Sequence, residues 1–426
     1  MWYQKLVQIF KDKELRNKIL YVLAVFAIYR LMANIPIPGI QIENLRNFFN
    51  QFQVFQLLSS FTGGSLDSLS IVMLGLGPYI TAIIILQLLT MIFPALERLY
   101  KEEGEAGRQK FNQYARIITV PLAILQGFGM LKLLARESVV SFANPIVFFA
   151  ALMTVTAGSL LLMFLEELIS EKGIGNGVSL LIFAGIIADF PKSILQMAQQ
   201  YTTGMIVNYI IFFLMSLVII AGVVMINESR RNIPVSYAKR VRGTKMYGGV
   251  STYLPLNINP AGVIPIIFAL SILLFPTMIA NFLGSAGGWI GSAARWFANV
   301  FASGGWVYGI TYFLLVVIFT YFYTAVTFDP KNIAQNLQKM GGFIPGIRPG
   351  APTAKFLYYI LNRLLLVGAI FLGLIAVMPQ IVGSLTGVTS FQFLIGGTSL
   401  LIAVSVILET VRQINAQLQM REYETF

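Results

Sequence analysis

The chain has 426 residues, 57% of them hydrophobic and 11% charged, with a net charge of +12, no Cys and no His. A soluble domain carries roughly 25% charged residues, whereas this sequence repeats apolar windows of the ~20-residue length that crosses about 30 Å of hydrocarbon, so it reads as a polytopic membrane protein. Disulfides and thiolate sites are excluded, and the commonest metal ligand and the commonest general base near neutral pH are both missing.

The first element is a basic, amphipathic stretch, WYQKLVQIFKDKELRNK. It is expected to lie on the inner membrane surface, with Trp2, Leu6, Ile9 and Phe10 toward lipid. The apolar run that follows leads into IPIPGI and not into a small-residue cleavage site, so it is expected to stay as span 1. Ten spans follow from the apolar runs: 18–34, 71–93, 115–135, 146–168, 177–190, 206–227, 259–281, 306–327, 356–378 and 391–411. The fifth is short, opened by GIGNG and closed by Asp189 and Pro191.

With the N-terminus inside, 24 of the 30 Lys and Arg residues fall on inner segments and their flanks, and 6 fall outside. The positive-inside rule therefore predicts that both termini are cytoplasmic. Ten spans split into five and five, and an odd number per half forces the halves into opposite orientations, as in inverted-repeat transport folds. The expected division is 1–190, an outer linker at 191–205, and 206–426.

Several segments invite a functional reading. Residues 57–70, LLSSFTGGSLDSLS, are too short to span and too apolar for a simple loop. By residues alone they read as a re-entrant or surface loop before span 2. GIGNG has no Lys-Ser/Thr pair after it, so it reads as a tight turn with Asn176 as cap and not as a phosphate loop. The inner loop 228–258 alternates around Gly243 (Val235, Tyr237, then Val250, Tyr253), which predicts a hairpin with Lys239, Arg240, Arg242 and Lys245 at its tip. The inner loop 328–355 opens on Asp329-Pro330, an N-cap and first-turn pair. Ile333, Leu337 and Met340 then predict a short amphipathic helix, and GGFIPGIRPGAP presents Arg348 on a stiff loop. Topology alone accounts for the charge of both loops, though not for rigid, protruding shapes. Arg30, Asp189, Arg363 and Glu409 lie near predicted span ends, and no acidic residue falls near the middle of a span. That counts against an ion-coupled carrier and against an intramembrane acid protease. A passive channel and a ten-span solute or lipid carrier both stay open at this point.

Ten stretches in order resolve the choice: IPIPG (35–39), GLGPYI (75–80), EGEAGRQKFNQYAR (103–116), GIGNGVSLLIFAGI (173–186), RRNIPVSYAKR (230–240), STYLPLNIN (251–259), NPAGVIPIIFA (259–269), GGFIPGIRPG (341–350), GGTSLLI (396–402) and QLQMREYETF (417–426). Together they resemble the SecY/Sec61-alpha family, channel subunits of the protein-secretion translocon, in its bacterial form. Pro260 stands where the family more often has Met, and 61–70 is more polar than in many relatives.

The resemblance implies an all-α fold of ten transmembrane helices in two inverted halves, and a passive protein-conducting channel in the cytoplasmic membrane, with no catalytic site and no cofactor. Unfolded preproteins would cross it, and transmembrane segments would leave it sideways into lipid. It implies that 57–70 is a plug (Leu58, Phe61, Gly63, Gly64, Leu66, Leu69) whose paired glycines and modest apolar area suit weak, reversible seating. It also implies a waist of Ile80, Ile84, Ile182, Ile186, Ile267 and Ile402, where dewetting gates ions. Without the resemblance, the residues themselves would read first as isoleucines facing lipid or packed plainly between helices. Gln87 and Gln126 are the expected polar contacts of a lateral gate between spans 2–3 and 7–8, or else amides satisfied by neighbouring backbone. Lys239, Arg240, Arg242, Lys245 and Arg348 would dock the ribosome or the SecA motor. SecE, SecG, preproteins with their signal peptides, and membrane lipid complete the implied partners.

Overall fold

The structure is a computed structural model. It describes residues 11–37, 69–101, 103–136, 139–140, 142, 144–199, 206–237, 240–242, 245–247, 251–283, 288–289, 291–293, 296, 306–386 and 397–424. Ten long helices match the ten expected spans: α1 (Lys13–Ala33), α2 (Gly77–Ile92), α4 (Gly104–Arg136), α5 (Pro145–Lys172), α6 (Gly177–Gln199), α7 (Ile206–Glu228), α8 (Ile264–Leu283), α9 (Trp306–Thr327), α11 (Ala351–Thr386) and α12 (Gly397–Glu424). Two short helices, α3 (Pro94–Lys101) and α10 (Pro330–Lys339), lie between them. Among the described residues, six of the helices are long and apolar enough to cross a membrane unaided, and α2 with α3 forms a bent seventh candidate. The amphipathic stretch before residue 11 and most of 57–70 lie outside the described residues.

Helix boundaries follow local chemistry. Asp12 caps α1, its side chain accepting from Glu14 N at 2.9 Å. Span 2 was expected from 71, but residues 71–76 run as turns and the helix begins at Gly77, with Pro78 in its first turn. The reason is a close crossing. A Cβ on Gly158 of α5 would stand 2.1 Å from the Ile71 carbonyl, and Ser159 Oγ donates to Gly75 O at 3.0 Å. At the other end of α2, Phe93 is extended (ψ 107) because it precedes Pro94, and the chain turns through 116° into α3.

Several expected ends shift. α6 does not stop at Asp189 and Pro191 but carries Pro191 inside the helix and ends at Gln199, since a proline removes only one i−4 hydrogen bond. α12 starts at Gly397 and runs to Glu424, well past 411. α4 begins at Gly104, eleven residues before the expected start of span 3.

The helices sort into two groups. In the first, α2 packs on α4, α4 on α5, α5 on α6, and α1 on α5 and α6; in the second, α9 packs on α8 and α11, and α12 on α7 and α11. The groups meet chiefly where α6 contacts α12 and where α2 contacts α8. The largest apolar cluster runs through these junctions, and α7 turns Ile210, Phe213 and Leu217 outward.

The loops 228–258 and 328–355 fold together. β1 (Arg230–Tyr237) pairs antiparallel with β4 (Ser251–Asn257), from Arg230↔Asn257 to Ser236↔Ser251, and β2 (Arg240–Arg242) with β3 (Lys245–Tyr247) extends the expected hairpin. The second loop adds β5 (Gly342–Phe343) to the other edge of β1, with Ser236 opposite Phe343. Ile233, Val235, Leu256, Leu337, Ile344 and Leu357 form a separate core under this sheet. Asp329 caps α10, accepting from Lys331 N at 2.9 Å. Ala334 and Leu337 are the buried face, whereas Met340, expected on it, is the exposed C-cap residue.

Candidate functional site

All six isoleucines expected at the waist fall in one apolar cluster, although they come from four helices and both groups. Ile402 (0% exposed), Ile84 (3%) and Ile182 (6%) are fully packed, and Ile80, Ile186 and Ile267 are partly buried and pack against the same cluster. The i, i+4 spacing puts Ile80 and Ile84 on one face of α2, and Ile182 and Ile186 on one face of α6. α2 contacts α8 and α6 contacts α12, the helices through which the two groups touch. α6 is held at its start by the GIGNG turn: Gly175 has φ +98, and Asn176 Oδ1 accepts from Ser179 N at 3.0 Å. A Cβ on Gly177 would stand 2.0 Å from the Glu166 carbonyl, so only glycine lets α6 approach α5 this closely.

The root of the 57–70 segment is fixed. Ile37 N donates to Leu69 O at 2.9 Å and Ile71 N to Ile35 O at 3.0 Å, so the chain leaving span 1 and the chain entering span 2 form a bridge. Leu69 is buried with φ +42, the one non-glycine residue among those described in the left-handed region. Ser70, fully buried, accepts from Val72 N. Leu58, Phe61, Gly63, Gly64 and Leu66 lie outside the described residues.

The two glutamines behave differently from the expected gate pair. Gln126 of α4 donates to Thr81 Oγ1 of α2 at 3.4 Å, and Thr81 donates to Gly77 O. This contact therefore lies within the α2–α4 pair and not across to α8 and α9. Gln87 is 7% exposed, and its Oε1 has no hydrogen-bond partner among the described residues. Next to α3 and α10, a polar groove of about 410 Å³ lies between the two groups. Tyr100, Arg108 and Asn112 line it from one side, and Val326, Thr327, Asp329 and Asn332 from the other.

Arg348 is exposed, and its carbonyl accepts from Thr353 Oγ1 at 2.9 Å, which ties its loop to the start of α11. Arg240, Arg242 and Lys245 lie on the β2–β3 extension, and Lys239 is outside the described residues. The sequence treats the two loops as separate, whereas β5 makes them one body. The alternation of 230–237 was readable, but its second partner lies about a hundred residues away, and a two-residue strand leaves no periodic signal. Sequence reasoning also missed Asn227, Asn259 and Ser405, which hydrogen-bond to one another.

Comparison with known proteins gives concordant results. The SecY family matches residues 70–411. A protein translocase subunit SecY of Streptomyces galbus is 44% identical over 434 residues, covering 98% of each chain. Among solved structures, one describing how the plug domain of SecY stabilises the closed state of the translocation channel and maintains a membrane seal is similar with a TM-score of 0.63. It is 20% identical and covers 93% of this chain and 91% of that one. Sec61 in the canine ribosome-channel complex is similar with a TM-score of 0.60, 19% identity, and coverage of 93% and 91%.

Proposed function

The chain belongs to the SecY family of protein translocase subunits, a passive protein-conducting channel and not an enzyme, and from that premise we propose how its residues divide the work. Ile80, Ile84, Ile182, Ile186, Ile267 and Ile402 form the waist through which an unfolded preprotein passes. The observation that carries this reading is their convergence, from both helix groups, on one apolar cluster at the α2–α8 and α6–α12 contacts. Isoleucine contacts are non-directional, so they close by dewetting and offer a passing chain no polar partner to stick to.

Residues 57–70 are the plug. Its exit is pinned at the Pro36–Ser70 bridge, so movement is confined to the part before Leu69. Lateral release of apolar segments into lipid runs between α2–α4 and α8–α9. The sheet-and-α10 body, with Arg348 and the basic residues of β2–β3, docks the ribosome or the SecA motor. The Sec61 ribosome-channel complex is a precedent for the first. SecE and SecG are the accompanying subunits. Both termini are cytoplasmic, as the 24-to-6 distribution of Lys and Arg indicates, and the two helix groups are halves joined outside the membrane before α7.

The deciding experiment places a photo-cross-linking side chain at Ile84 or Ile186 and stalls a preprotein in transit. Adducts to the substrate are expected at both positions and not at lipid-facing Phe213. Adducts only at Phe213 would remove the waist reading.

A further inference from the structure

A small polar network joins the root of the hairpin to two of the helices that carry the waist. Asn227 stands in the last turn of α7, just before β1. Its Nδ2 donates to Ser405 Oγ of α12 at 2.7 Å, and its Oδ1 accepts from Asn259 Nδ2 at 3.2 Å. Asn259 lies in the turn between β4 and α8, and the same Nδ2 donates to Gly262 O at 3.1 Å. Arg412 of α12 donates to Asn227 O at 2.7 Å and pairs with Glu228 at 2.6 Å. The two hairpin ends are also tied directly, Ile258 N donating to Ser229 O at 3.1 Å.

The positions matter more than the bonds. Ser405 follows Ile402 by one turn of α12, and the Asn259 turn leads straight into α8, which carries Ile267. One amide, Asn227, thus holds the base of the hairpin, the entry to α8 and the middle of α12 together. Asn259 Oδ1 is buried with no hydrogen-bond partner among the described residues.

We propose that Asn227 and Asn259 are positioning residues for channel opening. They couple the hairpin to α8 and α12, so that a load on the cytoplasmic body displaces the Ile267 and Ile402 sides of the waist. The inference rests on the docking role proposed above for 228–258. A static clamp is the competing account, and it predicts no response of the waist to docking.

The chain has no Cys of its own. Ile267→Cys combined with Ile402→Cys therefore reports the α8–α12 separation through the rate of cross-linking by a bifunctional thiol reagent. The channel is reconstituted in vesicles and measured with and without non-translating bacterial ribosomes. Ribosomes are expected to change the rate about fivefold or more, the lower end of ordinary coupling between sites. In Asn227→Leu that response is expected to collapse while ribosome co-sedimentation stays unchanged, and Asn259→Leu is expected to behave alike. Ser405→Ala, which deletes a single hydroxyl, is expected to give an intermediate response, and it decides alone if the leucine variants do not accumulate. An undiminished response in Ser405→Ala and in whichever leucine variant accumulates overturns the relay, as does a native waist that ignores bound ribosomes. Failure of ribosomes to bind the native channel would instead overturn the docking reading.

Discussion

The proposed waist and the sheet-and-α10 body are both well packed, but by opposite means. At the proposed waist, isoleucines from α2, α6, α8 and α12 share one apolar cluster. In the sheet-and-α10 body, two loops distant in sequence are joined by strand ladders, by the Asp329 cap and by a core of its own. Dispersion contacts are individually worth about 0.1–0.2 kcal/mol and have no preferred angle, so they can be exchanged for contacts with a passing chain. Backbone hydrogen bonds are directional and expensive to leave unmade, so they keep a shape under load. On the proposed reading, the difference separates a part that opens from a part that pushes.

The comparison can be broken most severely from the body's side. Val235 is 1% exposed beneath the sheet, so Val235→Asp leaves an uncompensated charge there and is expected to cost about 3–5 kcal/mol. Limited proteolysis should then cut both cytoplasmic loops, whereas resting ion conductance in planar bilayers stays near the native value. If only the hairpin becomes cleavable, the two loops are not one body.

The next largest effect is at the waist. Ile84→Asn places an amide in the apolar cluster at a cost of about 1–3 kcal/mol. It should raise resting ion conductance, and Ile402→Asn should add to it, while the loops stay protease-resistant. Native conductance in the double variant would mean that these residues do not form the seal.

Arg348→Glu reverses a charge on an exposed loop without touching a core. Docking to ribosomes should weaken roughly tenfold, about 1.4 kcal/mol. The salt dependence of binding should flatten because one phosphate contact is lost. Unchanged affinity and salt slope would remove Arg348 from the docking surface.

The smallest effect is expected at Gln126, whose bond to Thr81 stays inside the α2–α4 pair. Gln126→Leu should alter stability by about 0.6 kcal/mol and leave the signal-sequence requirement for transport unchanged. A relaxed requirement would restore Gln126 to the gate.

The sequence by itself determined a great deal. Apolar runs located ten helices, because a membrane of fixed thickness demands a minimum apolar length and internal backbone hydrogen bonding. Local punctuation was equally legible: Asn176 and Asp329 are caps because each offers a short side-chain acceptor to free amides. Ends were less so. Pro191 reads as a stop but lies inside α6, and the start of α2 is delayed by its crossing with Gly158, a neighbour that no local pattern announces. Only the tertiary structure decided which faces meet. An isoleucine facing lipid and one facing a waist are chemically the same letter, so convergence of Ile84, Ile182 and Ile402 appears only once both helix groups are assembled. The union of the cytoplasmic loops through β5, the inward-facing bond of Gln126 and the Asn227 network have the same origin. Each depends on a partner far along the chain, and the sequence records the two ends of such a contact without recording that they touch.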